Sequence, residues 1–132
     1  MGFSEGYTYY SLSDRERELV ILRIRDVLRE FGVALGILFG SFVELGEFRD
    51  IDIAIYGRGL NLNKLLSLGA RLEEALGMPV DVVPLTDVDP GFRLSIMERG
   101  VVVLEDADGV FEALMSEALD ELYVMTHDEA TA

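Results

Sequence analysis

Asp50 and Asp52 flank an isoleucine at the head of an apolar run, GEFRDIDIAIYG. In an extended chain, residues two apart share a face. Both carboxylates therefore point to one spot, while Ile51, Ile53 and Ile55 point to the other side. Two carboxylates at that spacing repel, and drawing them out of water is costly. A hard divalent cation removes both penalties, because Mg2+ takes oxygen ligands and is usually shared with substrate phosphates. A third acid, Asp81, interrupts a second aliphatic run, MPVDVVPL. If that run lies beside the first, Asp81 reaches the same point; the alternative is an edge-strand acid facing water. Three carboxylates on adjacent strands suit two metal ions about 4 Å apart, clamping an in-line displacement at phosphorus.

Spacing alone does not single out this pair. The chain has two further Asp-x-Asp pairs, Asp87/Asp89 in TDVDP and Asp106/Asp108 in EDADG. Both lie in turn-like stretches, where the turn chemistry of Asp accounts for them. Asp50 and Asp52 differ because they open an apolar strand, and because Gly40-Ser41 closes the preceding apolar run, GILFGS. Backbone amides at such a turn, with a hydroxyl beside them, make a phosphate cradle. Gly40 has no side chain, so a phosphate can approach the backbone closely. Taken alone, Gly-Ser also reads as an ordinary strand-ending turn.

The elements that must position these residues follow from pattern and punctuation. Ser13-Asp14-Arg15-Glu16 reads as a capping box. Val20, Ile24, Val27, Leu28 and Phe31 then keep helical spacing, which predicts a helix over 14–31, stopped by Gly32. Strands are expected at 33–39 and 51–56, with SFVEL starting a short helix between them. Asn61 or Asn63 caps a helix to about Leu76, ended by Gly77 and Pro79. A strand at 80–84, a helix at 92–99 closed by Gly100 and a strand at 101–104 come next. Asp108 is expected to cap a last helix to about Val124. Helices alternating with short strands give an α/β (α+β) class, a small mixed β-sheet covered by helices. One domain is expected over 13–124, with a flexible N-terminus at 1–12 and a flexible tail at 125–132. Leu114, Leu119, Leu122 and Tyr123 on the last helix exceed what one small core needs, so a homodimer or a partner helix is expected to cover them. Tyr7, Tyr9 and Tyr10 read as part of the loose N-terminus, with a docking segment as the alternative, and the lone His127, with no partner ligand nearby in sequence, reads as inert.

Composition narrows the function classes. Net charge is −14, from 25 acidic and 11 basic residues. So acidic a surface repels nucleic-acid phosphates, and no direct nucleic-acid binding is expected. It does not forbid a nucleotide site, because bound divalent metal inverts the local field. The chain has no cysteine, which excludes disulfides and thiolate metal sites and fits a cytoplasmic home. No apolar stretch is long enough to cross a bilayer, and the first residues lack a basic region followed by an apolar one.

Together, the strand, Gly40-Ser41, a short helical loop with Gly46, Asp50-Ile51-Asp52 and the later Asp81 resemble the nucleotidyltransferase superfamily of DNA polymerase beta. More narrowly, the chain looks like the minimal nucleotidyltransferases of prokaryotes, over roughly 33–104. PGFRLSIMERGVVVLED resembles the family's closing helix and strand, with Arg93 and Gly100 at familiar places. The resemblance implies that Gly40 and Ser41 hold the triphosphate of a nucleoside triphosphate. It implies that Asp50 and Asp52 bind two Mg2+, and that Asp81 completes one metal site and helps activate the attacking hydroxyl. It further implies transfer of AMP from ATP to an acceptor hydroxyl. Such small domains often act as antitoxins beside a helical HEPN-type ribonuclease toxin, some of them placing AMP on a tyrosine of that toxin.

The chain departs from the family pattern in its spacer. Ser41 and Asp50 are separated by eight residues, FVELGEFR, fewer than is usual. The basic residue that often follows Ser is missing, and Glu44 and Glu47 repel a triphosphate. Arg49, where the family usually has Ser, can compensate or can pair with Glu47. This acidic spacer motivates a second reading: a binding module that keeps the fold, lacks turnover and neutralises a partner by contact.

Overall fold

The computed structural model describes residues 8–131, with side chains through His127. In chain order these residues form α1 (Asp14–Glu30), β1 (Leu35–Phe39), α2 (Ser41–Glu44), β2 (Ile51–Tyr56) and α3 (Leu62–Leu76). Then come β3 (Val80–Pro84), a 3-10 turn (Leu85–Asp87), α4 (Pro90–Arg99), β4 (Val101–Glu105) and α5 (Val110–Thr131). The strands make one mixed sheet in the order β3-β2-β1-β4. β1 runs antiparallel to β2 and to β4, and β2 runs parallel to β3.

The sheet is covered on both faces, and its alternation sorts the side chains between two cores. Ile51, Ile53 and Ile55 join Ile24, Val27 and Leu28 of α1 and Leu68 and Leu72 of α3. Leu35, Ile37 and Ala54 point the other way, to Ile96 and Met97 of α4 and Leu114 of α5. Each buried isoleucine contributes about 2 kcal/mol. Three on one strand fix its register, since a slip by one residue would turn all of them to the wrong face. The acids at alternate positions are held on the α4 side as a consequence.

The local signals at helix ends act as their chemistry requires. Ser13 and Glu16 form the reciprocal capping box. The Asn61 side chain accepts from the Lys64 amide, and Gly77 ends α3 in the left-handed conformation. Of the turn acids, Asp89 caps α4 by accepting from the Phe92 amide, with Pro90 in the first turn. That cap starts α4 two residues before the predicted Phe92.

Other boundaries move for physical reasons. Val33 closes the turn after α1 rather than opening the strand, because its amide donates to Leu28 O; β1 begins at Leu35. Asp108 does not cap α5. The Glu105 carboxylate, arriving from β4, accepts from the Phe111 amide instead. α5 runs to Thr131, seven residues past the predicted end at Val124. Leu114 is buried rather than surplus, whereas Leu119, Tyr123, Val124 and Met125 are exposed. Near the N-terminus, Tyr10 exchanges both backbone hydrogen bonds with Phe48, at 2.8 and 3.1 Å, and their rings stack at 5.8 Å. That end of the expected loose segment is therefore tied to the spacer; residues 1–7, including Tyr7, lie outside the described residues.

Two glycines yield opposite expectations. A β-carbon on Gly100 would stand 2.6 Å from Ile37 Cγ2 and Ile96 O and 2.7 Å from Leu38 O. Gly100→Ala is expected to cost about 2 kcal/mol or more. Gly69, inside α3, has nothing within 4 Å of that position. Gly69→Ala should stabilise the protein by about 0.5–1 kcal/mol through helix propensity. Urea unfolding midpoints of the two variants check both signs.

Candidate active site

Strand register brings the acids together. Asp52 on β2 is paired with Asp81 on parallel β3 and with Phe39 on antiparallel β1. Side chains at paired positions share a face, so Phe39, Asp52 and Asp81 form one row across the sheet. Asp50 lies two residues before Asp52 on the same side, and Gly40 follows Phe39. Carboxylate oxygens of Asp50, Asp52 and Asp81 lie within 4.8 Å of one another. Among the described residues this is the one such grouping of potential metal ligands.

Gly40 closes the other side. Its φ is +77°, a conformation glycine adopts without penalty. A β-carbon there would lie 2.3 Å from Asp52 Oδ2. The Asp52 carboxylate thus occupies the room that the missing side chain leaves. Ser41 opens α2 directly after it. Arg49 is exposed, next to Asp50.

Three acids without a cation are under electrostatic stress. Asp52 is half-buried. Desolvation first, then Asp50, then Asp81 push its carboxyl up to about 6. Asp81 is exposed on the edge strand, yet its carboxyl is also raised. Desolvation leads there, followed by the charge and hydrogen bond of Asp50 and the charge of Glu73. Oxygen donors, close spacing and raised proton affinity together fit a hard divalent ion, which would replace the protons and neutralise the cluster.

Several contacts that hold this arrangement are invisible to local sequence reading. Arg17 of α1 donates to Phe42 O and, at 3.3 Å, to Leu45 O. Its guanidinium lies 4.5 Å from the Phe42 ring centre and 5.7 Å from that of Phe48. It thus pins the loop between Gly40 and Asp50 to the first helix. Glu73 of α3 accepts from the Val80 amide at 3.0 Å, fixing the start of the strand that carries Asp81. Arg93 is buried; it donates to Leu85 O and Val88 O, both at 3.1 Å, and pairs with Glu121 of α5 at 3.5 Å. It therefore ties the turn after β3 to both helices on that face. Each partner lies on another element or is a backbone group, so no motif signals the contact. Beside Gly40 lies a cleft of about 220 Å3 whose walls include Phe39, Phe92, Ser95, Glu44 and Arg99. The sequence reading did not anticipate it.

The raised Asp52 carboxyl sets a signed expectation. Below about pH 4 both folded and unfolded states hold the proton, and crowding costs nothing. As pH rises through about 6, the folded state must release a proton that it holds more tightly than the unfolded chain does, and stability falls. Asp52→Asn should therefore raise the Tm of the metal-free protein at pH 7.5 and lose that advantage at pH 4. Mg2+ should raise the wild-type Tm at pH 7.5 and leave the variant little changed. Thermal denaturation in chelator and in Mg2+ reads both. Gly40→Ala should cost at least about 1–2 kcal/mol from the positive φ alone and also weaken the Mg2+ response, because its β-carbon displaces Asp52.

Comparison with known proteins agrees with this architecture. The family described as "Polymerase beta, Nucleotidyltransferase" matches residues 23–108. Comparison with curated proteins finds no match. Among solved structures, the chain is similar to one in the toxin–antitoxin complex MntA–HepT, with TM-score 0.70 and 20% identity over 86% of this chain and 93% of that one. It is similar to a chain of a toxin–antitoxin structure with AMP-PNP, with TM-score 0.72 and 22% identity over 84% and 93%. It is also similar to a chain in a complex of tri-AMPylated Shewanella oneidensis HEPN toxin with MNT antitoxin, with TM-score 0.71 and 21% identity over 87% and 93%. At these identities the structures attest to the fold. The family match spans well over half of the chain, and the protein belongs to the polymerase beta nucleotidyltransferase family.

Proposed function

We propose that the protein is a metal-dependent nucleotidyltransferase that moves AMP from ATP to a hydroxyl on a HEPN-type toxin protein. The observation that carries this reading is the cluster of Asp50, Asp52 and Asp81, with ligand atoms within 4.8 Å, set against Gly40. Family membership supports the reaction class. The acceptor is suggested by the AMPylated HEPN toxin found with an antitoxin of this fold, and the donor by the neighbour with AMP-PNP.

In this reading Asp50, Asp52 and Asp81 hold Mg2+, two ions in all. When bound, the metal neutralises phosphate charge and makes the acceptor hydroxyl more acidic. Gly40 lets the triphosphate approach the backbone, with the Ser41 hydroxyl and the Arg49 guanidinium as further phosphate contacts. Asp81 stands on the side of the row away from Gly40, so the acceptor approaches there and its proton passes to the Asp81 carboxylate. The acceptor oxygen bonds to the α-phosphorus, the bond to the bridging oxygen breaks, and pyrophosphate leaves. ATP as donor suits a reaction in the cytoplasm. The exposed Leu119, Tyr123, Val124 and Met125 of α5 offer apolar area for the partner or a second copy.

One observation favours a second reading. Glu44 on the cleft wall and the three clustered aspartates put negative charge on both sides of Gly40, which suits a contact-only inhibitor. Radiolabelled ATP, Mg2+ and the neighbouring gene's product as acceptor separate the two. Wild type is expected to label the acceptor, and Asp50→Asn with Asp52→Asn to lower labelling by at least about a hundred-fold. No labelling by wild type, with no calorimetric binding of ATP or Mg2+, removes the enzymatic reading. Toxin neutralisation that survives the double substitution favours the contact-only module.

A further inference from the structure

The cleft beside Gly40 opens on the same face of the sheet as the three aspartates. Its walls include Phe39, Gly40 and Ser95, and its exposed members are Glu44, Phe92 and Arg99. Gly40 touches both this cleft and the Asp52 carboxylate. A molecule whose phosphates reach the acid cluster along the Gly40 backbone therefore passes Arg99.

Arg99 is the last residue of α4, and its nitrogen lies 2.5 Å from a Glu44 carboxylate oxygen. The two side chains are 67% and 39% exposed, so the pair is solvated and exchanges partners at small cost. The backbone beneath it is fixed. The Gly100 amide donates to Ile96 O at 2.8 Å, and Gly100 is wedged between Ile37, Ile96 and Leu38. A rigid base with a mobile guanidinium suits bidentate capture of a phosphate. The need is plain from charge. Asp50, Asp52, Asp81 and Glu44 all surround the path, and Arg99 is the basic residue on the cleft wall.

We propose that Arg99 is a phosphate-binding residue of this site: the polyphosphate of a nucleoside triphosphate displaces Glu44 from its guanidinium, and Glu44 weakens binding by competing for it. This rests on the nucleotidyltransferase reading above. Arg99 supplies from α4 a positive charge in addition to that of Arg49 in the spacer, and Glu44 parks it over the cleft in the free protein.

Calorimetry in Mg2+ with AMP-PNP and with AMP tests this on wild type, Arg99→Ala, Arg99→Lys and Glu44→Gln. Arg99→Ala should weaken AMP-PNP about ten-fold and leave AMP within about two-fold, because the lost contact is to the distal phosphates. Arg99→Lys should fall between, keeping charge without the planar fork. Glu44→Gln should tighten AMP-PNP, a gain that misfolding cannot produce. The proposal is overturned if wild type binds AMP-PNP and Arg99→Ala binds it equally well, if both ligands weaken together, or if Glu44→Gln weakens AMP-PNP. If wild type binds neither ligand, the nucleotidyltransferase reading itself fails and takes this proposal with it.

Discussion

Like charge held at close quarters is the constraint around which this molecule is arranged. Asp50, Asp52 and Asp81 bring carboxylate oxygens within 4.8 Å, where they repel across a partly dry surface. Burial and mutual repulsion push the Asp52 and Asp81 carboxyls upward, so their charged forms oppose folding. The favourable terms lie on the reverse of the same strand. Ile51, Ile53 and Ile55 are each at most 1% exposed, and their burial against α1 and α3 outweighs the crowding on the acidic side. A site kept under stress in the free protein is one that a cation stabilises on arrival.

Rigidity around the cluster comes from long-range contacts, most of them made by arginine. Arg17 clamps the spacer to α1 through two carbonyls and two aromatic faces. Arg93 spans the turn after β3 and the face of α5 while almost wholly buried. Tyr10 adds a backbone bridge to Phe48. The spacer is short, acidic and poor in regular structure. Without these ties it would sample many conformations, at about 1–2 kcal/mol of backbone entropy per residue to order it. Its shape therefore depends on residues 25 or more positions away from those it fixes, such as Arg17 and Phe42.

Charge shapes the exterior as the cluster shapes the interior. At −14 the protein repels polyanions over most of its surface. A triphosphate can be held only where cations and metal reverse that field locally. Such an arrangement disfavours stray anionic ligands.

Local chemistry in the chain was enough for the class, the main elements and the identity of the acids. Ser13, Asn61 and Gly77 announce helix ends because caps and left-handed turns are satisfied by neighbours within four residues. Asp50 and Asp52 announce themselves because period-two alternation puts polar and apolar residues on opposite faces. What sequence could not decide was anything requiring two distant segments to meet. The placement of Asp81 beside Asp52 depends on a parallel pairing of β2 with β3. The start of α5 depends on Glu105 rather than the nearer Asp108. The cleft depends on α4 laying Arg99 against Glu44. Pairing register, capping from another element and cleft shape are properties of packing, and packing is settled only when the whole chain has closed on its cores.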